Sequence, residues 1–173
     1  MVASAPRVGS FPPLIDVGCT MLVLGSMPGI ASLDASQYYA HPRNAFWPIM
    51  ASVFGFERDA PYAERCAALL RARVALWDVL RECERHGSLD SAIVDATSKV
   101  NDFPRLFARY PNVHTVVFNG AKSADTFKRR VPQTVATDAR KFVRMPSTSP
   151  AHASLKLADK LEKWREVMDP ARI

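Results

Sequence analysis

Four short apolar runs, each closed by a residue that stops a strand or turns the chain, limit what this sequence can fold into. They are Met21-Leu22-Val23-Leu24 before Gly25, Val74-Ala75-Leu76-Trp77 before Asp78, His114-Thr115-Val116-Val117-Phe118 before Asn119-Gly120, and Phe142-Val143-Arg144-Met145 before Pro146. The first two, short and continuously apolar, suit strands buried on both faces, and the other two read as the third and fourth strands. Between and after them lie stretches with helical spacing. Phe46, Trp47, Met50, Val53 and Phe54 form one stripe, Cys66, Leu69 and Leu70 a second after Pro61, and Leu157, Leu161, Trp164 and Met168 a third. Strands that alternate with helices are joined by crossovers, so they lie parallel in a sheet with helices on both faces. The expected fold is α/β, a three-layer α/β/α sandwich around a central, mainly parallel four-stranded sheet. One domain, residues 21–169, follows an N-terminal extension, residues 1–20, read as wrapping the surface or fraying. Residues 25–43 read as a long loop without helical period, and residues 78–95 as a mixed loop with a few helical turns.

Composition narrows the function classes. Lys and Arg total 23 against 17 Asp and Glu, a formal charge of +6 that is compatible with a phosphate-rich partner and equally with an ordinary basic soluble protein. Cys19, Cys66 and Cys83 are odd in number, widely spaced and contain no CxxC, which argues against a disulfide framework, a zinc site or an iron–sulfur cluster. No metal and no cofactor is expected. There is no signal-peptide pattern and no apolar run of membrane-spanning length, so the expected location is the cytoplasm, at the nucleoid in a prokaryote, with no membrane partner.

In parallel sheets, ligands bind beyond the carboxyl ends of the strands. Those ends carry Gly25-Ser26-Met27-Pro28-Gly29, Asp78, Asn119-Gly120 and Pro146-Ser147-Thr148-Ser149-Pro150-Ala151-His152. The first is extended by Tyr38-Tyr39-Ala40-His41-Pro42-Arg43-Asn44-Ala45-Phe46-Trp47-Pro48, which adds a flat aromatic, an amide and an imidazole. A glycine-proline turn after a strand can offer backbone groups to a ligand, the aromatic can stack on a ring, and the amide can orient a water. Together they point to an enzyme acting on a nucleobase.

With GSMPG, YYAHPRNAFWP, ALWDVL, FNG and PSTSPAH in this order, most of residues 20–168 resembles the uracil-DNA glycosylase superfamily, and its hypoxanthine-DNA (deoxyinosine) glycosylase branch in particular. The resemblance implies a DNA repair enzyme that extrudes a deaminated nucleotide, hydrolyses its N-glycosidic bond and leaves an abasic site. Its implied partner is double-stranded DNA holding a deaminated base, with single-stranded DNA as a second candidate, and it is expected to act as a monomer. Uracil or a mismatched base is the alternative substrate. A nucleic-acid-binding protein without catalysis and a small-molecule hydrolase are the other classes.

The same resemblance assigns roles. Asn44 positions the attacking water, although the residue types alone also suit a helix cap there. His41 is the runner-up, a proton shuttle or only a hydrogen-bonding residue. Tyr39 stacks on the extruded base, while backbone groups of Gly25, Ser26, Met27, Pro28 and Gly29 read its edge. Met27 departs from the wider family, whose branches carry Asn or an acid there, and a thioether orients water poorly. Asp78 and Asn119 reach the base or order their turns. Ser147, Thr148, Ser149, Pro150, Ala151 and His152 resemble a loop that grips DNA. Ala151 stands where a leucine wedge is found, so His152 or another side chain must fill the gap. Lys122 heads a basic series with Lys128, Arg129, Arg130, Arg140, Lys141 and Arg144 that contacts phosphate or is simply solvated. No lysine falls in the pocket motifs, which implies a monofunctional hydrolase without Schiff-base chemistry.

Overall fold

The apolar runs pair with one another in a single parallel sheet. The computed structural model describes residues 5–136 and 138–169. In chain order these form β1 (Arg7–Gly9), β2 (Met21–Gly25), α1 (Ile30–Ala35), α2 (Phe46–Phe54), α3 (Tyr62–Arg71), β3 (Val74–Asp78), β4 (Leu80–Arg85), β5 (Ile93–Val100), α4 (Phe103–Arg109), β6 (Thr115–Asn119), α5 (Ala121–Arg130), α6 (Gln133–Ala136), β7 (Lys141–Met145) and α7 (Leu157–Met168). The main sheet runs β3-β2-β6-β7 with every neighbouring pair parallel.

Alternation along each strand builds the layers. Met21, Val23, Val74, Leu76, Val117 and Met145 face α2, α3 and α7, where Phe46, Trp47, Ile49, Leu69 and Trp164 complete one core. Leu22, Leu24, Ala75, Trp77, Val116 and Phe118 face the opposite way onto Phe103, Phe107 and Phe127 of α4 and α5. The buried indoles keep their N–H groups satisfied, Trp47 donating to the Tyr38 carbonyl at 2.9 Å and Trp164 to the Pro146 carbonyl at 3.0 Å. The expected three-layer sandwich is therefore the fold. β3 lies on one side of β2 and β6 on the other, which opens a crevice above the carboxyl ends of β2 and β6.

Three segments differ from expectation. The stretch read as a mixed loop forms β4, a 3-10 turn at Asp90–Ala92 and β5, and these join β1 in a separate antiparallel sheet ordered β1-β4-β5. Register shifts between Leu80 and Glu82 and between Glu82 and Glu84 break the period of two, so this ribbon left no clean alternation to read. Part of the expected N-terminal extension is consequently paired: Arg7–Gly9 lie beside β4, and Leu14 bridges to Leu76. Residues 1–4 of that extension fall outside the described residues. The long loop after Gly25 also contains a short helix, α1, closed by Ser36 in a left-handed conformation. Among the described residues no helix is long and apolar enough to cross a membrane.

Candidate active site

The carboxyl ends of β2, β3 and β6 and the loop after β7 converge on a cleft of about 680 Å³. Every residue of the five strand-end motifs assigned above to catalysis, base contact or DNA contact contributes to its wall, as does Lys122, so these motifs meet in space; Lys128, Arg129, Arg130, Arg140, Lys141 and Arg144 do not line it. A second concavity of about 550 Å³ runs along α7 past Leu161, Glu162 and Arg165, and no strand end contributes to it.

The floor is set by strand register. Gly25 pairs with Asp78. A Cβ at Gly25 would stand 2.5 Å from Asp78 Oδ1 and 3.3 Å from the Tyr39 hydroxyl, so glycine is required for the carboxyl to lie across the strand end. Asp78 is 4% exposed, and its Oδ2 has no hydrogen-bond partner. Burial, reinforced by the nearby Asp90 and opposed by Arg85, pushes its pKa up to about 7. The Tyr39 hydroxyl is enclosed and likewise lacks a partner at hydrogen-bonding geometry. Burial pushes this phenol upward, and the Asn119 amide is near enough to offset part of that push. Two polar groups of the cleft residues are therefore enclosed without a hydrogen-bond partner from the protein.

Tyr39 adopts a left-handed backbone conformation, φ 56°. This turn separates it from Tyr38, which goes into the core and donates to the Pro12 carbonyl at 3.0 Å. The Tyr39 ring instead stacks on Phe46, with centroids 4.0 Å apart and planes 24° apart.

Asn44 stands two residues before α2, next to Ala45 at the helix N-cap position. Its Oδ1 accepts from the Phe46 N–H at 2.9 Å, and its own N–H donates to the His41 carbonyl at 2.8 Å. The capping contact read from the sequence is present, and the side chain lines the cleft as well. One lone pair of the amide oxygen is fixed on the backbone and the other is available to a water. His41 Nδ1 accepts from the Arg43 N–H at 3.1 Å, which places the proton of the neutral ring on Nε2.

Several side chains in the cleft wall are committed to the protein. Met27 is buried in a small core with Leu80, Cys83 and Ile93, which accounts for an apolar residue within the Gly-Pro turn. The Ser26 hydroxyl donates to Asp90. Asn119 is clamped to Thr148 by two hydrogen bonds of 2.8 Å, so most of its amide braces the loop after β7 and is not directed at a ligand. Gly120, at φ +102°, permits the close approach this needs, since a Cβ there would stand 3.0 Å from Ser147 Cβ. The loop is braced again where Thr148 accepts from the Ala45 N–H at 2.9 Å and Lys160 donates to the His152 carbonyl at 2.7 Å. The pocket motifs held no lysine, yet Lys122 lines the cleft, its ammonium paired with Asp95 at 2.6 Å.

Sequence reasoning missed Asp90, Ser88 and Arg85. Asp90 lies on the surface as a residue, but its carboxyl turns in against Ser26, and burial there moves its pKa upward. Arg85 is 1% exposed and donates to the carbonyls of Gly87 (2.9 Å), Met27 (3.4 Å) and Pro28. It ties the Gly-Pro turn to the β4–β5 connection and sets a buried cation near the two carboxyls. A long charged residue in an irregular stretch gives no signal that it is buried.

A family model described as "Uracil DNA glycosylase superfamily" matches residues 12–169. Over 116 residues, 66% of this chain and 72% of the relative, the sequence is 40% identical to a hypoxanthine DNA glycosylase of Methanosarcina barkeri. It is 35% identical, over the same shares, to a hypoxanthine DNA glycosylase of Methanosarcina acetivorans. The fold also matches the solution NMR structure of a candidate uracil DNA glycosylase from Methanosarcina acetivorans, with a TM-score of 0.80 and 29% identity over 97% of this chain and 100% of the other.

Proposed function

Because the chain belongs to the uracil DNA glycosylase superfamily, we propose that it hydrolyses the N-glycosidic bond of a deaminated base in DNA, with hypoxanthine as the preferred base. The observation that carries this reading is the convergence of Asn44, Tyr39 and Asp78 on one cleft at the switch point of the sheet. The nucleotide is extruded from the duplex, and its base stacks on Tyr39, which is supported from behind by Phe46. Asp78, in its neutral form, donates a hydrogen bond from the floor to an acceptor on the base. As the bond from C1′ to the base nitrogen breaks, its electron pair leaves with the base, and donors around the ring stabilise that charge. A water held by Asn44 Oδ1 attacks C1′ and releases its proton to solvent. An amide is a feeble base, so the water adds late, to a sugar that is already close to an oxocarbenium ion. With Lys122 held on Asp95, water and not an amine is the nucleophile. The substrate is duplex DNA, the protein acts as a monomer, and its place is the cytoplasm.

Otherwise identical duplexes carrying one hypoxanthine, uracil or xanthine test the reading. After incubation, alkali cuts the strand wherever a base has been released. Hypoxanthine is expected to be released fastest. An intact hypoxanthine strand beside a cut uracil strand would move the assignment to uracil, and three intact strands would remove it.

A further inference from the structure

An extruded nucleotide leaves a gap the size of a base, and the flipped state lasts only if something apolar fills it. The loop after β7 is poorly equipped to do so. Its exposed apolar groups are only the methyls of Ala151 and Ala153, Leu155 is half-buried, the exposed Leu157 opens α7 outside the cleft lining, and the His152 ring lies 3.3 Å from the Ser154 hydroxyl. The β4–β5 connection, which lines the same cleft, is different. Leu89 in it is 55% exposed, lines the cleft and belongs to no core cluster. The neighbouring Ser88 accepts from the Ile30 N–H at 2.9 Å, and Ile30 is itself 48% exposed. A large apolar side chain thus stands in water at the cleft of a basic protein.

The prong is also rigid. Arg85 bonds the Gly87 carbonyl beneath it, Asp90 accepts from Ser26 beside it, and the Ala92 N–H donates to the Leu89 carbonyl at 3.1 Å. Bracing the backbone that carries Leu89 reduces the entropy lost when its side chain inserts.

We propose that Leu89 is the wedge that enters the base stack and fills the gap left by the extruded nucleotide. The proposal rests on the DNA glycosylase reading given above. It takes the wedge from the β4–β5 connection and not from the loop after β7, although both line the cleft.

Rates of base release from a hypoxanthine duplex and from the same strand alone test it, using the wild type, Leu89→Ala, Leu89→Met and Val17→Ala. Val17 is exposed but lies outside the cleft. Leu89→Ala is expected to slow the duplex reaction about tenfold or more while changing the single-strand rate by less than about twofold, since single strands leave no gap to fill. Leu89→Met is expected to retain most of the duplex rate, and Val17→Ala all of it. Equal loss on both substrates, or no loss, would overturn the wedge. A second readout does not need catalysis. The wild type is expected to prefer a duplex containing a tetrahydrofuran abasic analogue over an intact duplex, and Leu89→Ala is expected to lose that preference; an unchanged preference would overturn the proposal. A wild type that cleaves nothing but shows the preference would refute the hydrolase reading alone.

Discussion

Asn119 and Thr148 hold each other by two hydrogen bonds, the Asn119 amide donating to Thr148 Oγ1 and the Thr148 N–H donating to Asn119 Oδ1, each at 2.8 Å. The pair joins the end of β6 to the loop after β7. Because the Thr148 carbonyl also accepts from the Ala45 N–H, the clamp reaches the segment that carries Asn44.

Asn119→Ala leaves a buried N–H and a buried hydroxyl without partners. It is expected to cost about 2 kcal/mol or more in denaturant unfolding, and to lower kcat through the displaced loop. Asn119→Asp keeps an acceptor for the Thr148 N–H and gains one for its hydroxyl, so it is expected to recover much of both. A kcat loss in Asn119→Asp as large as that in Asn119→Ala would mean the amide acts on the substrate directly.

Asn44→Ala removes the acceptor for the Phe46 N–H and, on the proposed mechanism, the group that holds the attacking water. The expected outcome is a fall of about 100- to 1,000-fold in kcat with KM nearly unchanged, and a stability loss of about 1 kcal/mol for the missing cap. Asn44→Asp restores the acceptor and is expected to regain the stability. Single-turnover rates beside thermal melts separate the two contributions, and a variant that loses only stability would reduce Asn44 to a cap.

The main sheet and the convergence of its loops were legible because both follow from strand ends. Gly25, Asp78, Asn119 and Pro146 each close an apolar run, and a parallel sheet must gather its carboxyl ends on one edge. What escaped was set by tertiary packing. Leu80–Arg85 reads as charged and irregular, yet it contributes Arg85 to the interior and forms the central strand of a second, three-stranded sheet. The direction of individual side chains escaped too. Met27 stands at a position where the wider family carries a polar residue, and its side chain packs in a small core, while Asn119, read as reaching the base or ordering its turn, braces the loop after β7. In both, a partner more than 25 residues away in sequence decides where the side chain goes.

Asp78 should impose a pH dependence of definite sign. Its carboxyl has a pKa of about 7 in the fold against an ordinary value of 3.8, so between these limits the folded protein binds the extra proton. Stability from this group is complete at the acid end of the window and is lost as pH rises through about 7, by at most about 4 kcal/mol. Asp90, Arg85 and the Tyr39 hydroxyl are the titratable or charged groups around it, and Asp90 adds to the slope with the same sign. Asp78→Asn stays neutral at every pH. It is expected to flatten the stability curve between pH 4 and 7 and to abolish a decline in activity above about pH 7, which the wild type shows as its donor ionises. Parallel curves for the two proteins would remove Asp78 from both accounts.

Arg85 separates charge from geometry at the same site. Its guanidinium supplies three hydrogen bonds to carbonyls of two different loops, and it is the cation that opposes the upward push on Asp78. Arg85→Met takes away both and is expected to lower stability by about 3 kcal/mol or more, while moving the activity midpoint to higher pH, because the cation that favours the ionised Asp78 carboxyl is then gone. Arg85→Lys keeps a positive charge but cannot reproduce the planar fork. It is expected to lose a comparable part of the stability and yet leave the pH midpoint near its wild-type value. Urea unfolding at fixed pH, set beside pH–rate profiles of the three proteins, reads the two effects independently. If Arg85→Lys moved the midpoint as far as Arg85→Met, the fork and not the charge would be what holds Asp78 near neutrality.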